Sequence, residues 1–204
     1  MRKQYELKEL YSRYKNEFKE RIKEFKKRKR KKDILKEFIF CLLTPQSKAI
    51  ECWRAVERIF EGDCLNNKEK LLKCLAGVRF RRKKADYILC NIFPFGQMRK
   101  YIQREKDVFK LREYLVKNVK GYGYKEASHF LRNIGKGKEL AILDTHILKN
   151  LKEYGVIDEI PKDLTKKKYI GIEEKMKRFS KDINIPMEEL DLLFWAKETG
   201  KIFK

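Results

Sequence analysis

Between residues 120 and 147 the chain carries a lysine and a carboxylate in settings suited to covalent chemistry. Lys120-Gly121-Tyr122-Gly123-Tyr124-Lys125-Glu126-Ala127-Ser128 sets a Gly-x-Gly turn ahead of a helix, with Lys125 just inside it. Leu140-Ala141-Ile142-Leu143 then leads from an apolar run to Asp144, followed by Thr145-His146-Ile147. A lysine at neutral pH is a cation and a poor nucleophile unless desolvation or nearby positive potential favours its neutral amine. The first turn of a helix supplies such potential. An amine activated this way can act as a nucleophile, and the nearby Asp144 is what sets Lys125 apart from the chain's other lysines. Asp144 is also the natural N-cap of the helix that starts at Thr145, a role compatible with the first. The plainer alternative makes Lys125 one of many surface lysines.

The turn itself suggests what the chain binds. Glycine tolerates backbone conformations that other residues resist, and N–H groups at a helix start form a ready anion site. Fifty-two Lys and Arg against thirty Asp and Glu give a net charge of +22 on 204 residues. Such a field attracts a polyanion through counterion release, whereas a thermophile's Lys/Glu surface would be nearly balanced in sign. The expected anion is DNA phosphate.

Composition bounds the rest. With 42% hydrophobic and 12% aromatic residues the chain can fill a core, so it is not a disordered basic tail. No run approaches the about eighteen apolar residues of a membrane span, and Met1-Arg2-Lys3-Gln4-Tyr5-Glu6 lacks the apolar core of a signal peptide. The expectation is a cytoplasmic, nucleoid-associated monomer with no membrane partner. The five cysteines, Cys41, Cys52, Cys64, Cys74 and Cys90, never fall in Cys-x-x-Cys spacing and read as buried small hydrophobes. No metal site is expected.

The elements that must position Lys125 and Asp144 are helices. Leu7, Leu10, Tyr11, Tyr14, Phe18, Ile22 and Phe25 recur at spacings of three and four, predicting one long amphipathic helix before the basic run 26–32. Asp33 reads as the N-cap of an apolar helix over 34–43, Thr44-Pro45 breaks it, and Ser47 reads as the cap of a helix running to about Phe60. Further helices are predicted near 67–75, 80–92, 107–119, 124–134, 145–154, 165–181 and 187–198, with Pro94-Phe95-Gly96 among the separators. Strand alternation is missing. The fold class is all-α: one compact unit over 1–204, with a central lobe over 33–124 and a terminal lobe over 1–32 plus 125–204.

Gly121-Tyr122-Gly123-Tyr124-Lys125 followed by Asp144-Thr145-His146-Ile147 resembles the helix-hairpin-helix DNA glycosylase superfamily. Leu43-Thr44-Pro45-Gln46-Ser47 resembles the loop that, in endonuclease III-like relatives, fills the space left by a flipped base; the C-terminal cysteines of endonuclease III itself are missing. The branch matched best is the archaeal-type 8-oxoguanine DNA glycosylase/AP lyase. Arg79-Phe80-Arg81-Arg82-Lys83-Lys84-Ala85-Asp86-Tyr87, Asp158-Glu159-Ile160-Pro161-Lys162 and Thr199-Gly200-Lys201-Ile202-Phe203-Lys204 extend the similarity over nearly the whole chain.

The resemblance implies two helical lobes flanking a DNA-binding cleft, and a substrate of double-stranded DNA containing oxidised guanine. It implies Lys125 as the nucleophile and Asp144 as its electrostatic partner, followed by β-elimination. Phe80 and Trp195 would stack on the extruded base, and Lys204, ending the chain as given, would offer it an acceptor carboxylate. His129, four residues after Lys125, either lines the base pocket or is structural. Gln46 would plug the gap, while Gly121, Tyr122, Gly123, Arg79 and Arg82 would hold DNA. No cofactor is implied beyond, at most, a monovalent cation at the hairpin. Each residue has a plainer reading: Phe80 and Trp195 as core aromatics, Gln46 as a loop satisfier, the 79–84 cluster as solvated charge. The rival functions are a glycosylase for another oxidised base and a non-catalytic helix-hairpin-helix module.

Overall fold

Helical periodicity is realised as eleven α-helices in a computed structural model that describes residues 2–200 and 202. They are α1 (Arg2–Lys27), α2 (Lys31–Leu43), α3 (Ala49–Glu61), α4 (Lys68–Cys74), α5 (Arg81–Ile92), α6 (Phe95–Arg104), α7 (Val108–Asn118), α8 (Tyr124–Asn133), α9 (Thr145–Glu153), α10 (Lys166–Asp182) and α11 (Met187–Thr199). One 3-10 turn covers Cys64–Asn66, and no strand occurs among the described residues. The chain divides into two units, Lys29–Phe130 and Met1–Arg28 with Leu131–Lys204.

The Lys29–Phe130 unit is built around α2, in which every residue from Glu37 to Leu43 is buried. A helix apolar on all sides must be surrounded, and α3 and α5 pack directly against it. The Phe38 ring lies 5.3 Å from Phe95, 5.2 Å from Tyr122 and 5.7 Å from Phe130, so one α2 side chain ties together α6, the hairpin and α8.

Three local expectations need correction. Asp33 lies inside the first turn of α2 rather than capping it, because Arg30 grips both its carboxylate oxygens, at 2.7 and 3.1 Å. Ser47 does not cap α3, whose N-cap position is Lys48; its hydroxyl is engaged elsewhere, as described below. Pro94 does end one helix, but Phe95 and Gly96 begin another, α6, which buries Phe95, Met98 and Ile102 on one face.

In the other unit the long α1 packs along α11, burying Leu7, Tyr11, Phe18, Ile22 and Phe25. The Tyr11 hydroxyl donates to Glu189 Oε2 at 2.7 Å, fixing the register of α1 on α11. Burial beside that carboxylate pushes the Tyr11 phenol well above its usual range. The buried Arg132 guanidinium lies 4.8 Å over the Phe25 ring and 3.4 Å from Asp191. Where the chain leaves α8, Gly135 (φ 75°) runs so close to α1 that a Cβ would stand 2.7 Å from the Lys26 backbone, a fit only glycine allows.

Cys41, Cys52 and Cys64 are buried, Cys74 is half-buried, and Cys90 departs from expectation by lying exposed on α5. No described helix is long and apolar enough to cross a membrane. Among the described residues no group of three or more His, Cys, Asp and Glu could hold a metal ion.

Candidate active site

The hairpin between α7 and α8 is fixed by groups that its own sequence does not contain. Buried Asn91 of α5 donates to the Lys120 carbonyl at 2.9 Å and accepts from the Lys120 N–H at 3.1 Å. Gly121 (φ 96°) crosses the Tyr87 ring so closely that a Cβ would fall 2.4 Å from Cδ2, so no other residue fits. Tyr122 turns inward: its ring is buried and its hydroxyl donates to the Phe38 carbonyl at 2.9 Å. Its side chain therefore anchors the hairpin from within and is turned away from solvent.

Gly123 precedes α8, and its N–H donates to Glu126 Oε2 at 3.0 Å, one half of a capping box. The Tyr122 N–H is likewise turned inward, to the Val119 carbonyl at 3.2 Å. The N–H groups of Lys120, Tyr122 and Gly123 are thus engaged within the protein, while the first-turn N–H groups of α8 lack i−4 partners by helix geometry and can serve an anion.

Lys125 stands in that first turn, about four-fifths buried, its Nζ 3.4 Å from Thr44 Oγ1 and 3.4 Å from Glu126 Oε1. One turn further along α8, His129 is buried with its ring edge-on to Phe40 at 5.6 Å.

Thr44-Pro45-Gln46-Ser47 forms a closed turn, the Ser47 N–H donating to the Thr44 carbonyl at 3.0 Å. Pro45 fixes a negative φ, while Gln46 has φ 54°, a combination that defines a type II turn and normally selects glycine at the Gln46 position. Gln46 is exposed on this strained corner. Phe80, at the N-cap of α5, is also left-handed (φ 57°, ψ 34°) and 56% exposed, so it is not a core aromatic. A bulky residue with positive φ is a genuine outlier, and such strain concentrates at sites of function.

Arg79 lies 5.5 Å over the Phe80 ring, and Arg79 and Arg82 are both exposed. The first turn of α5 reads Arg81-Arg82-Lys83-Lys84 with no acidic residue. Four cations at the positive end of a helix oppose its dipole, a poor choice for stability but a good one for a phosphate-binding helix start.

In the other unit, Leu140 to Leu143 form a buried apolar segment pinned by α10. The Tyr169 hydroxyl donates to the Ala141 carbonyl at 2.7 Å, and the Ala141 N–H donates to Glu173 Oε2 at 2.8 Å. This segment delivers Asp144 to the start of α9, where Oδ1 accepts from the Ile147 N–H at 2.9 Å. The cap uses one carboxylate oxygen, and the side chain is only partly covered. Two residues on, the His146 ring meets Trp195 of α11 edge-on at 5.0 Å, with Nδ1 3.7 Å from Glu198. Trp195 is half-buried.

The structure thus groups Gln46, Arg79, Phe80, Arg82, the hairpin and Lys125 in the Lys29–Phe130 unit, and groups Asp144 with the His146–Trp195 pair in the other. Lys204 lies outside the described residues. Asn91, Tyr169 and Glu173 escape the sequence analysis, and Ser47 and Lys84 enter it only as a helix cap and as solvated charge; all five hold the elements of the site in place. For Asn91, Lys84, Tyr169 and Glu173 the only signal is a polar residue at a buried helical position; Ser47 lies in the bend before α3.

The hairpin opening a lysine-bearing helix, within an all-helical basic chain, is the arrangement of a helix-hairpin-helix DNA glycosylase. A family model described as 8-oxoguanine DNA glycosylase matches residues 18–185, and the chain belongs to this family. It is 45% identical over 209 residues to the 8-oxoguanine DNA glycosylase/AP lyase of Fusobacterium nucleatum, covering 98% of this chain and 96% of the relative. It is 41% identical over 188 residues to the enzyme of the same name from Methanocaldococcus jannaschii, covering 90% of each. The crystal structure of the Thermotoga maritima 8-oxoguanine DNA glycosylase superposes with a TM-score of 0.90 at 35% identity over 98% of both chains. The Methanocaldococcus jannaschii 8-oxoguanine glycosylase/lyase in complex with a 15mer DNA containing 8-oxoguanine gives 0.89 at 38% identity over 100% of both.

Proposed function

We infer that this chain is a bifunctional DNA glycosylase/AP lyase that excises 8-oxoguanine from double-stranded DNA and cuts the strand at the resulting site. The observation that carries the reading is Lys125, largely buried in the first turn of α8 behind a glycine hairpin, in a chain 45% identical to an enzyme of that name. We propose that it acts as a monomer. Its substrate, chromosomal DNA, supports a cytoplasmic location in a prokaryotic cell.

A base inside a duplex must leave the stack before its glycosidic bond is reachable, at a cost of a few kcal/mol. In this reading the exposed Gln46 fills the gap, and the rings of Phe80 and Trp195 each stack on the extruded base, a contact worth about 1–3 kcal/mol per base. The neutral amine of Lys125 attacks the sugar C1′ as the base departs, forming a C–N bond as the glycosidic C–N bond breaks. Asp144 stabilises the positive charge developing on the sugar. Loss of a proton from the bound amine and opening of the C1′–O4′ bond, with O4′ leaving as a hydroxyl, give a Schiff base that acidifies the C2′ proton; its loss expels the 3′ phosphate and cuts the strand by β-elimination.

The test is a panel of duplexes, each with one lesion. Preferential cleavage at 8-oxoguanine is expected; preference for an oxidised pyrimidine moves the substrate assignment, and binding without cleavage of any lesion leaves only a DNA-binding module.

Gln46→Gly separates activity from stability. Glycine relieves about 1–2 kcal/mol of left-handed strain and adds about 0.4–1 kcal/mol of unfolded-chain entropy. The melting temperature is therefore expected to hold or rise while single-turnover excision falls about tenfold or more, since the gap left by extrusion goes unfilled. Undiminished excision by the variant removes the plug role.

A further inference from the structure

Lys84 is a buried cation that the chemistry above does not use. It belongs to the basic first turn of α5, yet it is 4% exposed where Arg81, Arg82 and Lys83 are exposed. Its Nζ donates to the Leu43 carbonyl at 2.6 Å, the Pro45 carbonyl at 2.8 Å and Ser47 Oγ at 3.0 Å. The three N–H bonds of an ammonium are matched by three acceptors, all neutral oxygens, one at the end of α2 and two in the turn that follows it.

That arrangement is a poor way to stabilise a fold. An ammonium taken out of water needs an opposite charge to offset its desolvation, and none of these three partners carries one. Burial, with smaller contributions from Lys125 and Arg79, pulls its pKa down to about 8, against the opposing pull of Cys52 and Glu126. It still carries its proton at pH 7. All three donors point into the turn, so Lys84 has none to offer a phosphate.

The turn it grips carries Gln46 at φ 54° and, through Thr44 Oγ1, touches the Lys125 amine. Ser47 Oγ also accepts from the Arg79 N–H at 3.1 Å, one residue before left-handed Phe80. Both strained, exposed side chains therefore hang from the same small network. We propose that Lys84 is a positioning residue whose buried ammonium holds the Thr44–Ser47 turn in the shape that presents Gln46, and locks that turn to the segment presenting Phe80. The proposal rests on the glycosylase reading above.

The test compares Lys84→Met, which keeps the stem and loses the ammonium, with Lys84→Arg and the parent, each with and without Gln46→Gly. A misplacement of order 1 Å in a catalytic constellation costs up to about 100-fold, so single-turnover 8-oxoguanine excision by Lys84→Met is expected to fall at least about tenfold. The salt dependence of duplex binding should not change, because no phosphate contact is lost. With Gln46→Gly already present, Lys84→Met should cost much less than it does alone, since both act through one turn. Lys84→Arg, which keeps the charge in a wider fork, should recover part of the loss.

Parental excision by Lys84→Met, a shallower salt slope, or fully additive losses in the double variant would each overturn the proposal while leaving the glycosylase reading intact. A parent protein that excises no 8-oxoguanine overturns both. Should Lys84→Met fail to fold, Ser47→Ala removes the shared hydroxyl at little cost to the core. It is expected to show a smaller loss of the same kind, and parental activity in Ser47→Ala overturns the proposal.

Discussion

Lys125→Gln is expected to bind an 8-oxoguanine duplex nearly as well as the parent protein and to release no base from it. The amide keeps much of the side-chain volume beside Thr44 and Glu126, so the first turn of α8 should form as before. What it cannot do is donate a lone pair to carbon. Removing a covalent nucleophile commonly costs at least about a thousandfold, and both base release and strand scission should fall together because they share one amine. Borohydride should trap a protein–DNA adduct with the parent and none with the variant. Efficient trapping with Lys125→Gln would show that another amine is the nucleophile.

The second large effect is expected at Asp144. Asp144→Asn keeps an oxygen that can accept from the Ile147 N–H, so the cap of α9 and the melting temperature should be close to parental. The charge, however, is gone. Removing one preorganised electrostatic partner of a developing charge costs about 10²–10³ in rate, and single-turnover excision should drop by that order. The drop should be smaller for cleavage of a pre-formed abasic site, where no glycosidic bond remains to break. Near-parental excision by a well-folded Asp144→Asn would reduce Asp144 to a helix cap.

The parts of this site that could be read from the sequence were local. Helix positions followed from apolar spacing, and Lys125 after Gly121-Tyr122-Gly123 stood out because glycine, helix start and lysine lie within one short stretch. Asp144 was legible for the same reason, lying between an apolar run and a helix. Where local signals competed, the reading failed. Pro94-Phe95-Gly96 looked like a break, and its turn residues outweighed Phe95, Met98 and Ile102, whose spacing was already that of a buried helix face. By residue type Asp33 and Ser47 read as caps; a neighbouring arginine claims one, and Lys84 with the Arg79 N–H claims the other.

What was not legible depended on contacts distant in sequence. Lys84 sat in a run of basic residues and looked like its neighbours; that it points inward is decided by α5 packing on α2. The left-handed backbone at Gln46 and Phe80 has no sequence signature, since neither residue type favours it. Tyr122, placed with the DNA-facing residues, is claimed by a carbonyl of α2. In each case tertiary packing overrode a reasonable local preference.

A repair enzyme meets a vast excess of sound base pairs for every damaged one, so the dwell at each pair governs how quickly damage is found. A loop that had to order itself around each site would lengthen every stop, because its backbone would have to be fixed anew each time. The turn carrying Gln46 is already closed by its own hydrogen bond and gripped by Lys84 before DNA arrives. On the proposed role of Gln46, each inspection would need no ordering of this turn, and a net positive charge lets a protein slide along DNA to the next pair. On the role proposed for Gln46, a corner set in shape before DNA arrives would serve the search for damage as well as its repair.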